Sequence, residues 1–319
     1  MNHFFILLGI AVNFVWGLAF LLPYLLQQTD PLLIASGRYL VYGLLSLLLL
    51  LTARERHSLD SRAWGMAALL AFTGNVGYYM ALTLAIRYAG ITITALIIGT
   101  LPVSIMAWGN WQSREVSWGR LLMPAVLILA GIIGINIQQH AALPLHTNTW
   151  QFGLGVLLAL AALALWTWYG VANAAWLKRH PQVSPQQWSL AIGVCCLVQS
   201  LLVLLLPGNG QSASKLLTSA DPWWQVLGAC LMLGIVVSWL ATIWWNRVSR
   251  HLPVALSGQL IVFETISSLL YGHLADRAWP DAGEILCILL ILGGVLSGIR
   301  AFQNLKQKPG QTVAVSGSS

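Results

Sequence analysis

Charge is what this chain has least of. Charged residues make up 8% of its 319 residues, the AVILMFWYC set makes up 58%, and the mean hydropathy is +0.75. A soluble domain carries roughly 25% charge, so a soluble enzyme is excluded as the body of the protein. Cysteine is scarce as well. Cys195, Cys196, Cys230 and Cys287 lie in apolar runs without metal-ligand spacing, and neighbouring Cys195 and Cys196 make a poor disulfide. They read as small apolar packing residues. No G-x-x-x-x-G-K-[ST] phosphate loop and no H-E-x-x-H motif occurs. ATP drive within the chain is thereby set aside, and neither a cofactor nor a metal is expected.

What the chain does have is long apolar runs. Ten of them lie near 4–26, 31–51, 63–86, 90–109, 121–139, 152–177, 188–206, 223–245, 253–273 and 282–301. About 20 apolar residues of helix cross a bilayer core. The runs are rich in Leu, Ala and Ile and do not alternate, which selects helices over barrel strands. The expected fold is an all-α membrane protein with ten transmembrane helices. The Met-Asn-His start lacks a basic n-region, so the first helix reads as retained, not as a cleaved signal. The loops near 140–151 and 207–222 are too short for a soluble domain, and 303–319 reads as a disordered cytoplasmic tail.

The little charge present is sided. With the N-terminus in the cytoplasm, only Arg87, Lys215 and Arg277 of the 16 lysines and arginines fall outside, and Arg38 lies within a span. This is the positive-inside bias of a multi-pass protein of the cell (inner) membrane with both termini cytoplasmic. The net charge of +7 therefore reports orientation and gives no ground for a nucleic-acid partner. Trp64, Trp118, Trp150, Trp223, Trp224 and Trp279 flank the spans as interfacial anchors.

The chain divides into residues 1–139, a polar connection at 140–151, and residues 152–302. An offset of 163 lays Arg87 on Arg250, Ile98 on Ile261, Ser104 on Ser267, Gly109 on Gly272 and Arg114 on Arg277. An odd number of spans per half turns the second half upside down, giving two inverted five-helix repeats, a recurring transporter design.

Several motifs carry a family resemblance. They are Asn13-x-x-Trp16-Gly17, Gly37-Arg38-Tyr39-Leu40, Gly74-Asn75 with Tyr78-Tyr79, Gly99-Thr100-Leu101-Pro102-Val103, and Leu260-Ile261-Val262-Phe263-Glu264-Thr265 with Gly272. In this order, over residues 1–302, the chain resembles the EamA-type ten-helix members of the drug/metabolite transporter superfamily, in particular the YtfF-like subgroup. The resemblance implies export of small metabolites, often amino acids. The usual family pattern has proline after the helix 9 Glu. Here Thr265 stands there, so the second half is expected to lack the bend that Pro102 can give helix 4.

Glu264 is the one carboxylate of nine expected deep in a span. A charge at mid-membrane costs about 2.5–3.5 kcal/mol on insertion scales, so such a residue faces the bundle interior. At helical spacing it shares a face with Ser257, Ser268 and Tyr271. Arg38, eight residues into the second span, lies at similar depth. A permanent Arg38–Glu264 ion pair that only fixes packing is the structural alternative to a transport role. Asn13 and Trp16, Asn75 and Tyr79, and Tyr169 and Asn173 recur at one-face spacing on three further helices, as do Ser238, Thr242 and Trp245. These faces must turn inward, either to join helices or to line a cavity for a small amphipathic or zwitterionic solute.

The expected function is secondary transport of a small metabolite by proton antiport, with Glu264, Arg38, Asn13, Trp16, Asn75, Tyr79, Tyr169, Asn173, Ser257 and Ser268 as substrate or proton contacts. The alternatives are an intramembrane enzyme acting on a lipid or prenyl substrate, or a membrane protein without flux. His140 and His146 read as solvated loop residues. Ala130-x-x-x-Gly134 and Gly294-x-x-x-Gly298 read as close-packing motifs, compatible with a monomer or a homodimer.

Overall fold

The structure is a computed structural model that describes residues 3–26, 28–52, 59–114, 116–139, 149–205 and 221–306. Ten helices in it are long and apolar enough to cross a membrane. In chain order they are α1 (His3–Leu25), α2 (Pro31–Thr52), α3 (Ser61–Ala89), α4 (Ile91–Ile98 and Leu101–Ser113) and α5 (Trp118–Gln139). There follow α6 (Thr149–Arg179), α7 (Pro185–Leu205), α8 (Trp223–His251), α9 (Val254–Leu260 and Val262–Asp276) and α10 (Ala282–Lys306). All ten expected spans are present. Residues 140–148 and 307–319, including His140 and His146, lie outside the described residues. α10 continues to Lys306, so residues 303–306 of the expected tail are helical.

Helix packing has a two-fold pattern. α3 packs on α6 as α8 packs on α1; α4 packs on α6 as α9 packs on α1; α3 packs on α7 as α8 packs on α2. The pairs α2–α7, α4–α9 and α5–α10 map onto themselves. Backbone irregularities repeat at the same offset of 163. Arg114 and Arg277 end α4 and α9 in the left-handed region, at φ 49° and 53°. They are the only non-glycine residues with positive φ among those described. A π-helical stretch, Phe72–Val76, interrupts α3, and another, Met232–Leu240, interrupts α8.

The expectation that α9 runs straight for lack of a proline is corrected. Both α4 and α9 break halfway. In α4 the Gly99–Thr100 turn precedes Pro102, which donates no backbone hydrogen bond. In α9 the turn is made by i→i+3 bonds, Ile261 N to Gly258 O at 3.2 Å and Glu264 N to Ile261 O at 2.9 Å. Ser257 and Glu264 therefore stand on two separate pieces.

Glycine sets how closely the paired helices approach. A Cβ on Gly43 of α2 would lie 2.3 Å from Leu197 Cβ and 2.9 Å from the Gly193 carbonyl of α7. The α5–α10 seam is likewise intramolecular. It uses Gly131, Gly134 and Gly294, whereas Ala130 is exposed and Gly298 faces Gln259 of α9. Gly43→Leu should destabilise the bundle by about 1–3 kcal/mol through overpacking. The check is a thermal melt in detergent micelles; an unshifted midpoint would remove this account of the α2–α7 crossing.

Candidate functional site

A central cavity of about 400 Å³ lies where the broken and π-helical segments meet. Its wall includes the α4 break (Gly99, Pro102) and the α9 break (Ile261). Glu264 sits in the first turn of the second piece of α9, where the helix dipole favours an acid. It is half-buried and on the cavity wall. Arg38 and Glu264 line the same space, yet no ion pair within 4.0 Å joins them, whereas His273 and Glu284 do pair, at 2.9 Å. A permanent Arg38–Glu264 pair is not what the geometry shows.

What holds Arg38 instead is Ser238. Its Oγ accepts from Arg38 Nε at 2.7 Å, leaving the two terminal guanidinium nitrogens to other partners. Ser238 reaches Arg38 because a Cβ on Gly234 would meet Val41 at 2.5 Å and the Arg38 carbonyl at 2.9 Å, so α8 can run against α2 here. Tyr39, Tyr78 and Tyr79 complete the polar wall, and Tyr78 lies within electrostatic reach of both Arg38 and Glu264. On α3, the π-helical stretch brings Gly74 and Asn75 to the cavity, and Gly74 leaves room for the Tyr169 ring.

The cavity has an aromatic floor. Trp16 packs on Trp245 at 5.2 Å and edge-on to Trp166 at 6.0 Å between ring centres. Trp16 Nε1 donates to the Val237 carbonyl in the π-helical part of α8 at 3.1 Å. Beneath this floor, toward the end where α6 finishes and α7 begins, Asn173 joins three helices. Its amide donates to Asn246 Oδ1 at 2.9 Å, and its Oδ1 accepts from Trp188 Nε1 at 2.9 Å. From the floor the cavity reaches Phe20, Ile86 and Thr94 near the opposite end of the bundle.

Seven of the ten expected site residues line this space: Glu264, Arg38, Trp16, Asn75, Tyr79, Tyr169 and Ser268. The other three stand outside it. Asn13 is fully buried between α1 and α9, its amide donating to Gly9 O at 2.7 Å. Asn173 lies below the floor. Ser257, on the first piece of α9, bonds its own helix at Val254 O, 3.0 Å. Each is polar and inward-facing, as required of a polar group in lipid, and each bonds to helix groups away from the cavity, although the Asn13 Oδ1 has no described partner. Tyr39, Asn136 and Ser238 were not among the expected site residues. Ser238 carried a signal in its one-face spacing with Thr242 and Trp245; Asn136 carried one as an amide in an apolar span.

Among the described residues, no three His, Cys, Asp or Glu cluster in a way that could hold a metal. The four cysteines are free, and three of them are buried.

Broken helices meeting at a mid-bundle cavity, with packing repeated between halves, define a polytopic protein with the architecture of a secondary transporter. The sequence profile of the EamA-like transporter family matches residues 3–137. Inner membrane protein YtfF of Escherichia coli (strain K12) is 31% identical over 305 residues, covering 93% of this chain and 95% of its own. The uncharacterized inner membrane transporter YhbE of the same organism is 24% identical over 298 residues, covering 90% and 87%. A solved crystal structure at 18% identity shares the fold with a TM-score of 0.75, covering 96% of this chain and 100% of that one. The chain belongs to the EamA-like transporter family and is a multi-pass inner-membrane transporter.

Proposed function

We propose that this protein exports a small metabolite, an amino acid or a similar zwitterion, in exchange for protons through the central cavity. The observation that carries the reading is the placement of Glu264: an unpaired acid on the wall of a mid-bundle cavity that it shares with a serine-held Arg38. A carboxylate in that position trades its charge for a proton at low cost to its neighbours. A guanidinium with free terminal nitrogens suits a carboxylate, and the tyrosine and tryptophan walls suit a short apolar side chain.

Residues 1–139 and 152–302 act as inverted repeats joined through 140–151, with both termini cytoplasmic. Glu264 takes a proton from the outer side and releases it inward as substrate moves out. The aromatic floor with the Asn173–Asn246–Trp188 network is then the inner seal. The α4 and α9 breaks give the two halves equivalent pivots on which to rock.

The test is reconstitution. Proteoliposomes loaded with an amino-acid mixture and a pH-sensitive dye should show proton entry that depends on added protein and on substrate. Substrate efflux that proceeds unchanged when the pH gradient is collapsed and the membrane potential clamped would overturn the antiport.

Ser238 supplies a second check. Hydrogen bonds to charged groups are worth about 1.5–3 kcal/mol, so Ser238→Ala should weaken apparent substrate affinity roughly tenfold or more. The concentration dependence of efflux measures this, and unaltered half-saturation would show that Arg38 needs no such support.

A further inference from the structure

A second hollow lies apart from the central cavity and shares no lining residue with it. It is a groove of about 520 Å³ where α3, α4 and the last turns of α6 meet, at the end of the bundle that carries most of the basic residues. We propose that it binds an anionic phospholipid of the surrounding leaflet, one acyl chain lying in the groove and the phosphate meeting Arg179 at its mouth.

The walls and the mouth point to the same ligand. Trp108, Trp168 and Trp176 wall the groove, and Ala172 and Ala175 keep it open by being small. Trp176 is fixed from both sides, stacked on Trp188 at 3.4 Å and on His180 at 4.3 Å between ring centres. That gives a stiff apolar trough of the kind an acyl chain fills. A water-soluble ligand would leave the indole faces without a match.

At the mouth the chemistry changes. Arg179 is exposed and lines the groove, and Arg62 lies one helical turn from Met66, another lining residue. Neither arginine has an ion-pair partner among the described residues. Arg179 at the rim of an aromatic trough, with Arg62 adding positive charge on the adjoining α3, complements a phosphate whose charge is not cancelled by its own headgroup. A zwitterionic lipid offers the same chain but places an amine beside the arginines. Basic groups between helices at one leaflet are a known basis for such selection.

The experiment uses the full chain in nanodiscs of equal phosphatidylglycerol and phosphatidylcholine, extracted with mild detergent and weighed by native mass spectrometry. The expected result is a retained lipid enriched in phosphatidylglycerol. Arg179→Gln should lower that enrichment roughly fivefold, the factor one arginine near a membrane surface contributes. Ala172→Trp, which fills the trough, should lose the retained lipid of either headgroup, with a melting curve confirming that the bundle persists. Equal retention of the two lipids by the unaltered protein, or undiminished enrichment in Arg179→Gln, would overturn the proposal. The arginine variant lies at the surface, so its outcome does not depend on whether the tryptophan variant folds.

Discussion

Glu264→Gln should abolish concentrative transport, by ~10²-fold or more, the scale at which removing a proton-transferring side chain acts. The substitution keeps size and shape and removes the titrating group. No described hydrogen bond uses the Glu264 carboxylate, and its backbone carbonyl, which accepts from Ser267 Oγ at 3.0 Å, is retained. The melting midpoint should therefore hardly move, and a loss of flux cannot be assigned to unfolding. Exchange of labelled for unlabelled substrate needs no net proton movement. If Glu264 carries only the proton, exchange persists in the variant while uphill movement stops. If it also holds the substrate amine, exchange fails too. A Gln variant that still concentrates substrate under a pH gradient would remove the proton role.

This prediction rests on a residue that stood out in the sequence, and the reason is energetic. A lone acid in an apolar run is costly, so its inward placement follows from composition alone. Arg38 stands out for the same energetic reason, but how it is held does not follow from composition. An arginine in a span requires partners, and Ser238, 200 positions along, is one of many hydroxyls that could serve. Only the close approach of α8 at Gly234 selects it.

Asn13, Asn173 and Ser257 lie off the cavity for a related reason. Polarity dictates that a side chain turns inward, and says nothing about whether it meets a cavity or another helix. Asn173 and Tyr169 lie one turn apart on α6, yet the floor passes between them.

The spans themselves were legible because lipid leaves little choice of backbone. Their ends were less so. α8 continues to His251 through Arg247 and Arg250, residues that read as loop only because they are charged. The α9 break was missed outright, since proline is one way to interrupt a helix and a tight i→i+3 turn after Gly258 is another. The repeat is the converse case. Sequence identity at the offset of 163 is sparse, while the left-handed ends at Arg114 and Arg277 and the two π-helical stretches carry the correspondence in the backbone.

Asn173→Leu should be the most destabilising polar substitution below the floor. It takes the only described partner from the Trp188 indole N–H and a donor from Asn246 Oδ1, both deep in the bundle. Each group left unsatisfied costs about 1–3 kcal/mol, so the pair should lose about 2–6 kcal/mol. Interhelical hydrogen bonds in membrane proteins average only about 0.6 kcal/mol when both partners can find replacements. The measured loss thus distinguishes a sealed network from one that water can reach. Replacing both amides, Asn173→Leu with Asn246→Leu, removes one of the orphaned groups along with its partner. The double variant should therefore be more stable than the sum of the singles, by roughly 0.5–3 kcal/mol. Additive losses in thermal melts would mean that the two side chains act separately and that α6 and α8 are not tied at this level. The network also joins α7 through Trp188, and all three helices would have to part for the cavity to open toward the basic end. Loosening it should accordingly favour that opening, read as faster labelling of a cysteine placed at Ser249, which is buried just beneath. Unchanged labelling in a variant of lowered stability would leave the network a role in packing and none in the seal.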